Sequence, residues 1–217
     1  MLCFYKLCVK IYVNNLQEVI SLKKKSTQNT KKKIVSAAWK LFYEQGYDDT
    51  TVDDIVGESG TSKGSFYHYF SSKDELLSSL AYLFDEKYEE LIDSMDSGMP
   101  CVEKLLFLNR ELFRMIENSV SIDLLAKLLS SQLVTRGDKS LLDRNRTYFK
   151  LLRSIVIEAQ QKGETAENFS VNDIVKAYAL YERALLYDWC LCNGEYSLSS
   201  YSNIHFPMFL DKYFENK

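Results

Sequence analysis

The sequence predicts an all-α protein. Two prolines and eight glycines are few for 217 residues, and apolar residues recur mainly at the three- and four-residue spacing of amphipathic helices. The composition is 46% hydrophobic and 26% charged, which is typical of globular rather than disordered chains. A chain of this length accommodates one medium domain, or a small domain joined to a larger one.

Residues 50–75 contain two short predicted helices separated by a glycine. Val52 and Ile55 begin an apolar set at helical spacing, and the two aspartates between them complement the partial positive charge of a helix N-terminus. Gly60 ends this helix, because glycine adopts the left-handed conformation without steric cost. Ser62 is the expected cap of the second helix. Two short helices joined by a tight turn form a helix-turn-helix, whose second helix fits the major groove of DNA.

The second short helix carries side chains that suit contact with DNA. Small residues would let the backbone approach, Lys63 adds positive charge, and Tyr67 and His68 can donate hydrogen bonds to phosphates or base edges, although His68 could instead be a core residue. Thr51 and Lys73 stand at helix N-termini, which favour phosphates. The lysines that open the first helix suit a solvated surface and phosphate contact about equally. The candidate DNA contacts are Lys31, Lys32, Thr50, Thr51, Ser62, Lys63, Gly64, Ser65, Tyr67, His68 and Lys73.

A longer pattern runs through residues 31–77 in a single register. Its members are Ile34, Ala37, Ala38, Leu41, Phe42, Gly46, Tyr47, Thr50, Thr51, Val52, Ile55, Gly60, Ser62, Lys63, Gly64, Tyr67, Phe70, Lys73 and Leu76. This segment resembles the tetracycline-repressor (TetR) family of bacterial transcription regulators. The resemblance implies a three-helix helix-turn-helix DNA-binding domain at residues 29–75 and a C-terminal helical ligand-binding and dimerisation domain at residues 76–217.

Six further helices follow from the apolar periodicity. They are predicted at residues 73–95, 101–118, 122–134, 139–162, 171–193 and 201–214, with a loop at residues 135–138. The first of them would act as a lever between the two domains. By resemblance to the family, residues 139–162 and 171–193 form a four-helix bundle across the two-fold axis of a homodimer. A dimer also meets a physical need, since one recognition helix reads only a few base pairs.

Aromatic residues are abundant, with 15 Tyr, 12 Phe and 2 Trp. Core packing explains most of them, and tyrosines can also give an apolar pocket a few polar groups. In the TetR family a ligand pocket lies behind the long connecting helix, so the resemblance implies a small apolar or aromatic effector. The candidate pocket residues, each of which could equally be core, are Phe84, Tyr88, Phe107, Phe113, Tyr148 and Tyr178.

No enzymatic or metal-binding motif is visible in the sequence. His68 and His205 are the only histidines, and neither lies in a nucleophile motif. The chain has no Walker loop, no G-x-G-x-x-G and no H-E-x-x-H, and its five cysteines lack paired metal-ligand spacing. We therefore expect no catalytic activity, no metal and no cofactor, with the cysteines as inert thiols in a reducing cytoplasm.

The charge distribution is asymmetric along the chain. Residues 1–75 carry 11 lysines and 9 acidic residues, whereas residues 76–217 carry 16 basic and 21 acidic residues. A basic N-terminal part on an acidic body suits a DNA-binding module. Residues 1–28 are predicted to be an extension that is too interrupted by polar residues to span a membrane and that lacks a signal-cleavage site. We expect the natural start near Leu22; the alternative is an amphipathic extension that lies on the body.

Together these features predict a cytoplasmic, homodimeric transcription regulator that binds a double-stranded DNA operator. Its most direct form is a repressor that a small effector releases from the operator. An activator or a ligand-independent regulator with the same DNA module, and a helical adaptor that binds protein, are the alternatives.

Overall fold

Helices account for nearly all the regular structure of the chain. The computed structural model describes residues 27–96, 98–134 and 139–214, with the backbone alone for residues 27–29, 82 and 83. Within these ranges the helices are α1 Thr27–Glu44, α2 Val52–Ser59, α3 Lys63–Tyr69, α4 Lys73–Leu77, α5 Ser79–Ser94, α6 Cys101–Ser119, α7 Ile122–Val134, α8 Thr147–Gln161, α9 Val171–Leu191 and α10 Leu198–Leu210. The only β-pairing in the described part is an isolated bridge between Thr165 and Phe214. The predicted all-α fold is confirmed.

The chain divides into two compact units, with the boundary between Lys73 and Asp74. Of the expected extension at residues 1–28, only the last two residues are described, and they belong to α1. The expected loop at residues 135–138 lies outside the described residues. No helix in the described part of the chain has the length and hydropathy needed to cross a membrane.

The first unit is built around α1, α2 and α3. Ile34 and Phe42 are buried on the stripe of α1 that its periodicity predicts, and α1 packs against both α2 and α3. Ile55 from α2 and Phe66 from α3 complete this core, with no exposed surface on either side chain. The two short helices of the predicted helix-turn-helix are therefore present, each with its apolar face turned onto α1.

The predicted long helix at residues 73–95 is wrong, because the chain breaks it into α4 and α5. Ser78 and Ser79 stand at the break. The Ser78 N–H donates to the Glu75 carbonyl at 3.2 Å, and the Ser79 hydroxyl donates to the Leu76 carbonyl. Bonds of this short span replace the regular α-helical ladder, and serine hydroxyls compete for backbone partners in the same way. The apolar periodicity continues through Ser78 and Ser79, so the sequence pattern does not indicate the break.

The second correction concerns residues 139–162, where the predicted helix starts late, at Thr147. Before it, residues 140–142 form a single 3-10 turn, and the Asp143 carboxylate accepts a hydrogen bond from the Asn145 N–H at 2.9 Å. Aspartate side chains that bond to the backbone two residues on favour turns over helices. The helix predicted at residues 201–214 is shifted to Leu198–Leu210, since Ser197 caps it by accepting from the Ser200 N–H.

The remaining helices of the second unit agree closely with the predictions. α7 has the predicted bounds, and α6 and α9 differ from theirs by one or two residues at the C-terminal end. α9 begins with a capping box in which the Ser170 hydroxyl and the Asp173 carboxylate each accept from the other's backbone N–H. α6 packs against α8 and α10, and α9 packs against α7, α8 and α10. These contacts place the middle of α9 in the interior of the unit.

Candidate nucleic-acid interface and effector cavity

The turn between α2 and α3 is held by two helix caps. The Thr51 hydroxyl accepts from the Asp54 N–H at 3.1 Å, and the Asp54 carboxylate accepts from the Thr51 N–H at 2.8 Å. The Thr51 hydroxyl also donates to the Asp54 carboxylate at 2.6 Å, and this bond first, then the one from the Thr51 N–H, lowers the pKa of Asp54. α2 ends at Gly60, which has a φ of 62° and a ψ of 30°, as the sequence predicted. α3 then begins at its cap, Ser62, whose hydroxyl accepts from the Ser65 N–H at 3.0 Å.

Buried aromatic residues fix which face of α3 points outward. Phe66 is fully buried, and its ring lies 5.8 Å from that of Phe70. The opposite face carries Lys63, Gly64, Tyr67 and His68, all of which are exposed, with 53% of the Tyr67 surface accessible. A helix advances 100° per residue, so these four positions share one side. The structure thus brings together four of the predicted contacts, and His68 is exposed rather than a core residue.

Lys63, on the outward face of α3, forms an ion pair with Asp53 of α2. Its Nζ lies 2.8 Å from the Asp53 carboxylate, and both side chains are more than half exposed. The hydrogen bond from Lys63 to Asp53 raises the pKa of Lys63. A phosphate that binds Lys63 would therefore replace an existing partner rather than meet a free cation.

Two of the predicted DNA contacts are engaged inside the protein. Thr50 is fully buried, and its hydroxyl donates to the Gly46 carbonyl at 2.6 Å. The Lys73 ammonium donates to the carbonyls of Tyr47, Thr50 and Asp48 at 2.6, 2.8 and 3.3 Å. It also lies 4.2 Å from the centre of the Tyr47 ring. Since an ammonium has three N–H donors, Lys73 closes the turn between α1 and α2 with all of them.

The basic start of α1 lies near the end of α3. The Lys31 Nζ is 5.5 Å from the centre of the Phe70 ring, and Phe70 follows the last residue of α3. Lys31 is exposed and Lys32 is half-buried. The side chain of Lys31 therefore extends the positive surface next to α3.

The second unit contains a small cavity of about 40 Å³. Its lining is mostly leucine and aromatic, and consists of Phe84, Tyr88, Leu112, Leu125, Leu128, Leu129, Leu141, Arg146, Tyr148, Glu182, Arg183 and Leu186. Three of the predicted pocket residues, Phe84, Tyr88 and Tyr148, are in this set. Of the others, Phe113 is fully buried, the Phe107 ring packs under Arg110, and the Tyr178 hydroxyl donates to the Leu105 carbonyl.

A buried carboxylate forms the polar side of this cavity. Glu182 is 3% exposed, and each of its oxygens accepts one hydrogen bond, from the Asn109 amide at 2.9 Å and from the Tyr148 hydroxyl at 2.7 Å. Burial raises the pKa of Glu182 despite these donors. Sequence reasoning missed this residue. It stands one helical turn after Tyr178, which is buried on the same helix, and this spacing is the signal that could have identified it.

Arg146, which lines the cavity, belongs to an ion pair that is neutral as a whole. Arg146 donates through Nε and Nη2 to the two oxygens of Asp85, at 3.0 and 2.9 Å, and through Nη2 to the Ala81 carbonyl at 2.6 Å. The Tyr148 N–H also donates to Asp85. Both charged side chains are almost fully buried. Their hydrogen bonds link the N-terminal end of α8 to α5.

One hydroxyl in the cavity wall has no partner. Tyr88 is 1% exposed, and its buried hydroxyl has no hydrogen-bond partner among the described residues. Its ring lies 5.2 Å from that of Tyr148. Burial is the first cause that raises the pKa of Tyr88, and the charge of Glu182 is the second. The Tyr88 hydroxyl therefore remains neutral, able both to donate and to accept a hydrogen bond.

α9 carries an exposed apolar stripe on its outer side. Leu180, Tyr187 and Leu191 are 58%, 51% and 68% exposed. They are separated by seven and four residues, which places them on one face of the helix. Ile157, on the neighbouring helix α8, is 39% exposed. Large apolar side chains aligned in this way mark a surface that associates with another protein.

The cysteine and acidic residues give no sign of a reactive centre in the part of the chain that the structure describes. No group of three or more His, Cys, Asp or Glu side chains there could hold a metal ion. Desolvation raises the pKa of the Cys101 thiol to about 12 and that of the Cys190 thiol to about 11. Both thiols are therefore protonated at neutral pH, where the thiolate is the nucleophile.

Part of this chain is similar to known regulatory proteins. Residues 34–80 match the family of bacterial regulatory proteins called the tetR family. A helix-turn-helix transcriptional regulator from Lactococcus lactis subsp. lactis is 50% identical over 48 residues, which are 22% of this chain and 24% of that protein. The chain spans a similar quarter of the next curated relative. The fatty acid metabolism regulator protein of Bacillus subtilis is 26% identical over 142 residues, which are 64% of this chain and 72% of that protein.

Solved structures share the fold of most of the chain. FadR from Thermus thermophilus, a TetR-family repressor in complex with lauroyl-CoA, has a TM-score of 0.67 at 21% identity, covering 85% of this chain and 95% of that one. A TetR-family regulator from Pectobacterium atrosepticum has a TM-score of 0.70 at 16% identity, covering 90% and 99%. At these identities the likeness establishes the fold alone. Residues 34–80 of the chain thus match the tetR family of bacterial regulatory proteins, and most of the chain shares its fold with solved structures of TetR-family regulators.

Proposed function

We propose that this chain is a homodimeric transcription regulator that binds a double-stranded DNA operator through α3. The observation that carries the proposal is the outward face of α3, where Lys63, Gly64, Tyr67 and His68 are exposed opposite the buried Phe66. Gly64 allows close approach of the backbone, and the other three side chains can bond to phosphates and base edges. Lys31, beside the end of α3, would add a phosphate contact.

Residues at or next to the N-termini of the helices would contribute to this proposed interface in two ways. Thr51, Ser62 and Ser65 are exposed or half-buried around the turn, so they can reach phosphates beside the groove. Thr50 and Lys73 would act mainly by holding the turn between α1 and α2 in place, because their polar groups are bonded to backbone carbonyls.

Dimerisation would occur through α8 and α9. The stripe of Leu180, Tyr187 and Leu191 supports this, since burying it against a second copy removes large apolar side chains from water. Two copies related by a two-fold axis present two recognition helices, which read half-sites one DNA turn apart. Operator binding would place the protein in the cytoplasm.

The cavity of the second unit would hold the effector. Its leucine and aromatic walls favour a ligand with an apolar body, and the related FadR proteins of Thermus thermophilus and Bacillus subtilis are seen with lauroyl-CoA and stearoyl-CoA. A repressor would release its operator when the ligand prefers a conformer whose two recognition helices no longer match successive major grooves. A differential affinity of a few kcal/mol between the conformers is sufficient.

Tyr67→Ala tests the interface. Loss of one base or phosphate contact costs about 1–3 kcal/mol, and the dimer loses two, so we expect binding to promoter fragments from the neighbourhood of its own gene to weaken by at least about 30-fold. Tyr43→Ala is the matched control, because Tyr43 is an equally exposed tyrosine in α1. Gel-shift titration measures both affinities, and sedimentation velocity checks that both variants stay dimeric.

The outcome of this titration separates the alternatives. Equal loss in both variants, or wild-type protein that ignores these fragments at low salt, contradicts the assignment of α3. A DNA affinity that does not depend on salt concentration would favour a protein-binding adaptor, since contacts to DNA phosphates release counterions.

A further inference from the structure

The wall of the cavity in the second unit contains two polar groups with unused hydrogen-bonding capacity. Glu182 is buried with one donor on each oxygen, whereas a carboxylate can accept about four hydrogen bonds. Tyr88 lines the same cavity with a buried hydroxyl that has no partner among the described residues. Both groups can therefore accept further hydrogen bonds, in a cavity that is lined largely by leucines.

The positive charges around the cavity do not compensate this carboxylate. Arg146 is already paired with Asp85 through two nitrogens. Arg183 follows Glu182 in α9, but its side chain is half-exposed while Glu182 is 3% exposed. The guanidinium of Arg183 is thus the more hydrated of the two charges, and its attraction for Glu182 is screened by solvent. The charge that is left without a close partner inside the cavity is the negative one.

We propose, building on the proposed effector function, that the ligand of this cavity is an apolar molecule that carries a protonated amine. Its N–H groups donate to Glu182 and to the Tyr88 hydroxyl, and its apolar body packs against the leucines. Phe84, Tyr88 and Tyr148 line the cavity as aromatic rings, and the faces of such rings attract a cation.

Size and charge both favour this class over acidic ligands. The cavity has about 40 Å³, which is room for roughly three water molecules and so for an ammonium head group, with leucine side chains moving aside for the rest of the ligand. A fatty acid would instead place its carboxylate next to that of Glu182. Like charges that close in a low-dielectric site repel strongly.

Calorimetric titration of the dimer without DNA tests the inference. The probes are decylammonium, decanol, decanoate and decanoyl-coenzyme A, which share one alkyl length and differ in the polar group. We expect decylammonium to bind at least about tenfold more tightly than the other three, because a charged hydrogen bond in a buried site is worth about 1.5–3 kcal/mol. Decylammonium that fails to bind at millimolar concentration, or that binds no better than decanoate or decanoyl-coenzyme A, overturns the proposal.

Three variants locate the contact. Glu182→Gln keeps the shape of the side chain and should weaken decylammonium by about tenfold while leaving decanol unchanged. Tyr88→Phe should weaken decylammonium without lowering Tm, since it removes a hydroxyl that has no partner. Tyr196→Phe is the matched control: its hydroxyl bonds to the Asp188 carboxylate at 2.9 Å, away from the residues that line the cavity, so the substitution should leave the affinity unchanged.

These variants can also contradict the proposal. Unchanged decylammonium affinity in Glu182→Gln rules out the carboxylate as the recognising group, and equal effects of Tyr88→Phe and Tyr196→Phe on affinity rule out a direct contact with the Tyr88 hydroxyl. Gel shifts of the wild-type protein are run in parallel. DNA binding without decylammonium binding refutes this inference alone, whereas loss of DNA binding refutes the proposed function.

Discussion

Replacing Lys73 with methionine should reduce the free energy of unfolding by about 2–4 kcal/mol. Methionine keeps most of the apolar stem and removes the ammonium. That ammonium donates two short bonds, at 2.6 and 2.8 Å, and a longer one at 3.3 Å. A hydrogen bond from a charged donor contributes about 1.5–3 kcal/mol, and a partly exposed cation over a ring adds about 0.5–1 kcal/mol. Because Lys73 is half-buried and water can replace part of these bonds, the total falls below their sum.

The loss should be concentrated in the turn between α1 and α2. Urea denaturation gives the free energy of unfolding, and hydrogen exchange at residues 46–51 reports whether the turn opens. Lys63→Met is the matched control, since Lys63 belongs to an exposed ion pair in the same unit and should leave stability nearly unchanged. A loss below about 0.5 kcal/mol in Lys73→Met, or turn protection equal to that of the control, refutes the structural role.

The same variant separates stability from DNA contact. If Lys73 also binds a phosphate, its loss reduces the slope of log K against log salt by about 0.9 per contact. If it serves only the turn, the variant loses DNA affinity only under conditions where part of it is unfolded, and the slope is unchanged. Measurements are made at a temperature where both proteins are fully folded, so that the two effects are not confused.

Three further predictions concern the turn, the cavity and the dimer. Gly60→Ala should lower stability by about 1 kcal/mol in thermal unfolding, because a left-handed φ of 62° disfavours a Cβ, while Gly64→Ala should leave it unchanged. Burial raises the pKa of Glu182 above its usual 4.5, so its contribution to stability is complete below that pH and is lost as pH rises through the raised pKa. The stability of the wild type relative to Glu182→Gln, from urea unfolding across this range, should therefore fall with rising pH. Leu180→Lys should convert the dimer to monomer in sedimentation velocity, and Lys176→Ala should not.

The helix-turn-helix could be predicted because its boundaries are set by residues that lie close together in the sequence. Thr51 and Ser62 cap helices with their own side chains, and Gly60 occupies the left-handed position that ends α2. Each of these signals acts over three or four residues and needs no information from elsewhere in the chain. The apolar stripe of α1 then decides which faces of the short helices turn inward.

The interruptions of the later helices do not follow from apolar periodicity, because the polar side chains that cause them leave that periodicity intact. The pattern runs unbroken through Ser78 and through the segment before Thr147, yet serine and aspartate bond to nearby backbone at both places. Such bonds compete with the helical ladder and leave no trace in the spacing of leucines. Turn-forming residues in an apolar pattern are therefore the better guide to a boundary.

The cavity was only half predictable, for a different reason. Phe84, Tyr88 and Tyr148 were expected as aromatic wall residues, but the ion pair of Asp85 with Arg146 joins positions 61 residues apart. A charged residue in a helical pattern usually indicates a solvated face, so burial of these side chains becomes visible only when α5 and α8 are packed together. Long-range pairing of this kind has no signature in a single sequence.

In the proposed effector function, Glu182 and Tyr88 would also supply the free energy with which a ligand selects a conformer. A buried hydroxyl without a partner destabilises the folded chain by about 1–3 kcal/mol, and burial of the Glu182 carboxylate, which raises its pKa, adds to that penalty. A ligand that bonds to both groups recovers this free energy only in a conformer that keeps them around one cavity. A shift from about 1:99 to 99:1 between two conformers requires about 5.5 kcal/mol. The leucine walls can attract an apolar body in either conformer, so the two polar groups decide which conformer the ligand stabilises.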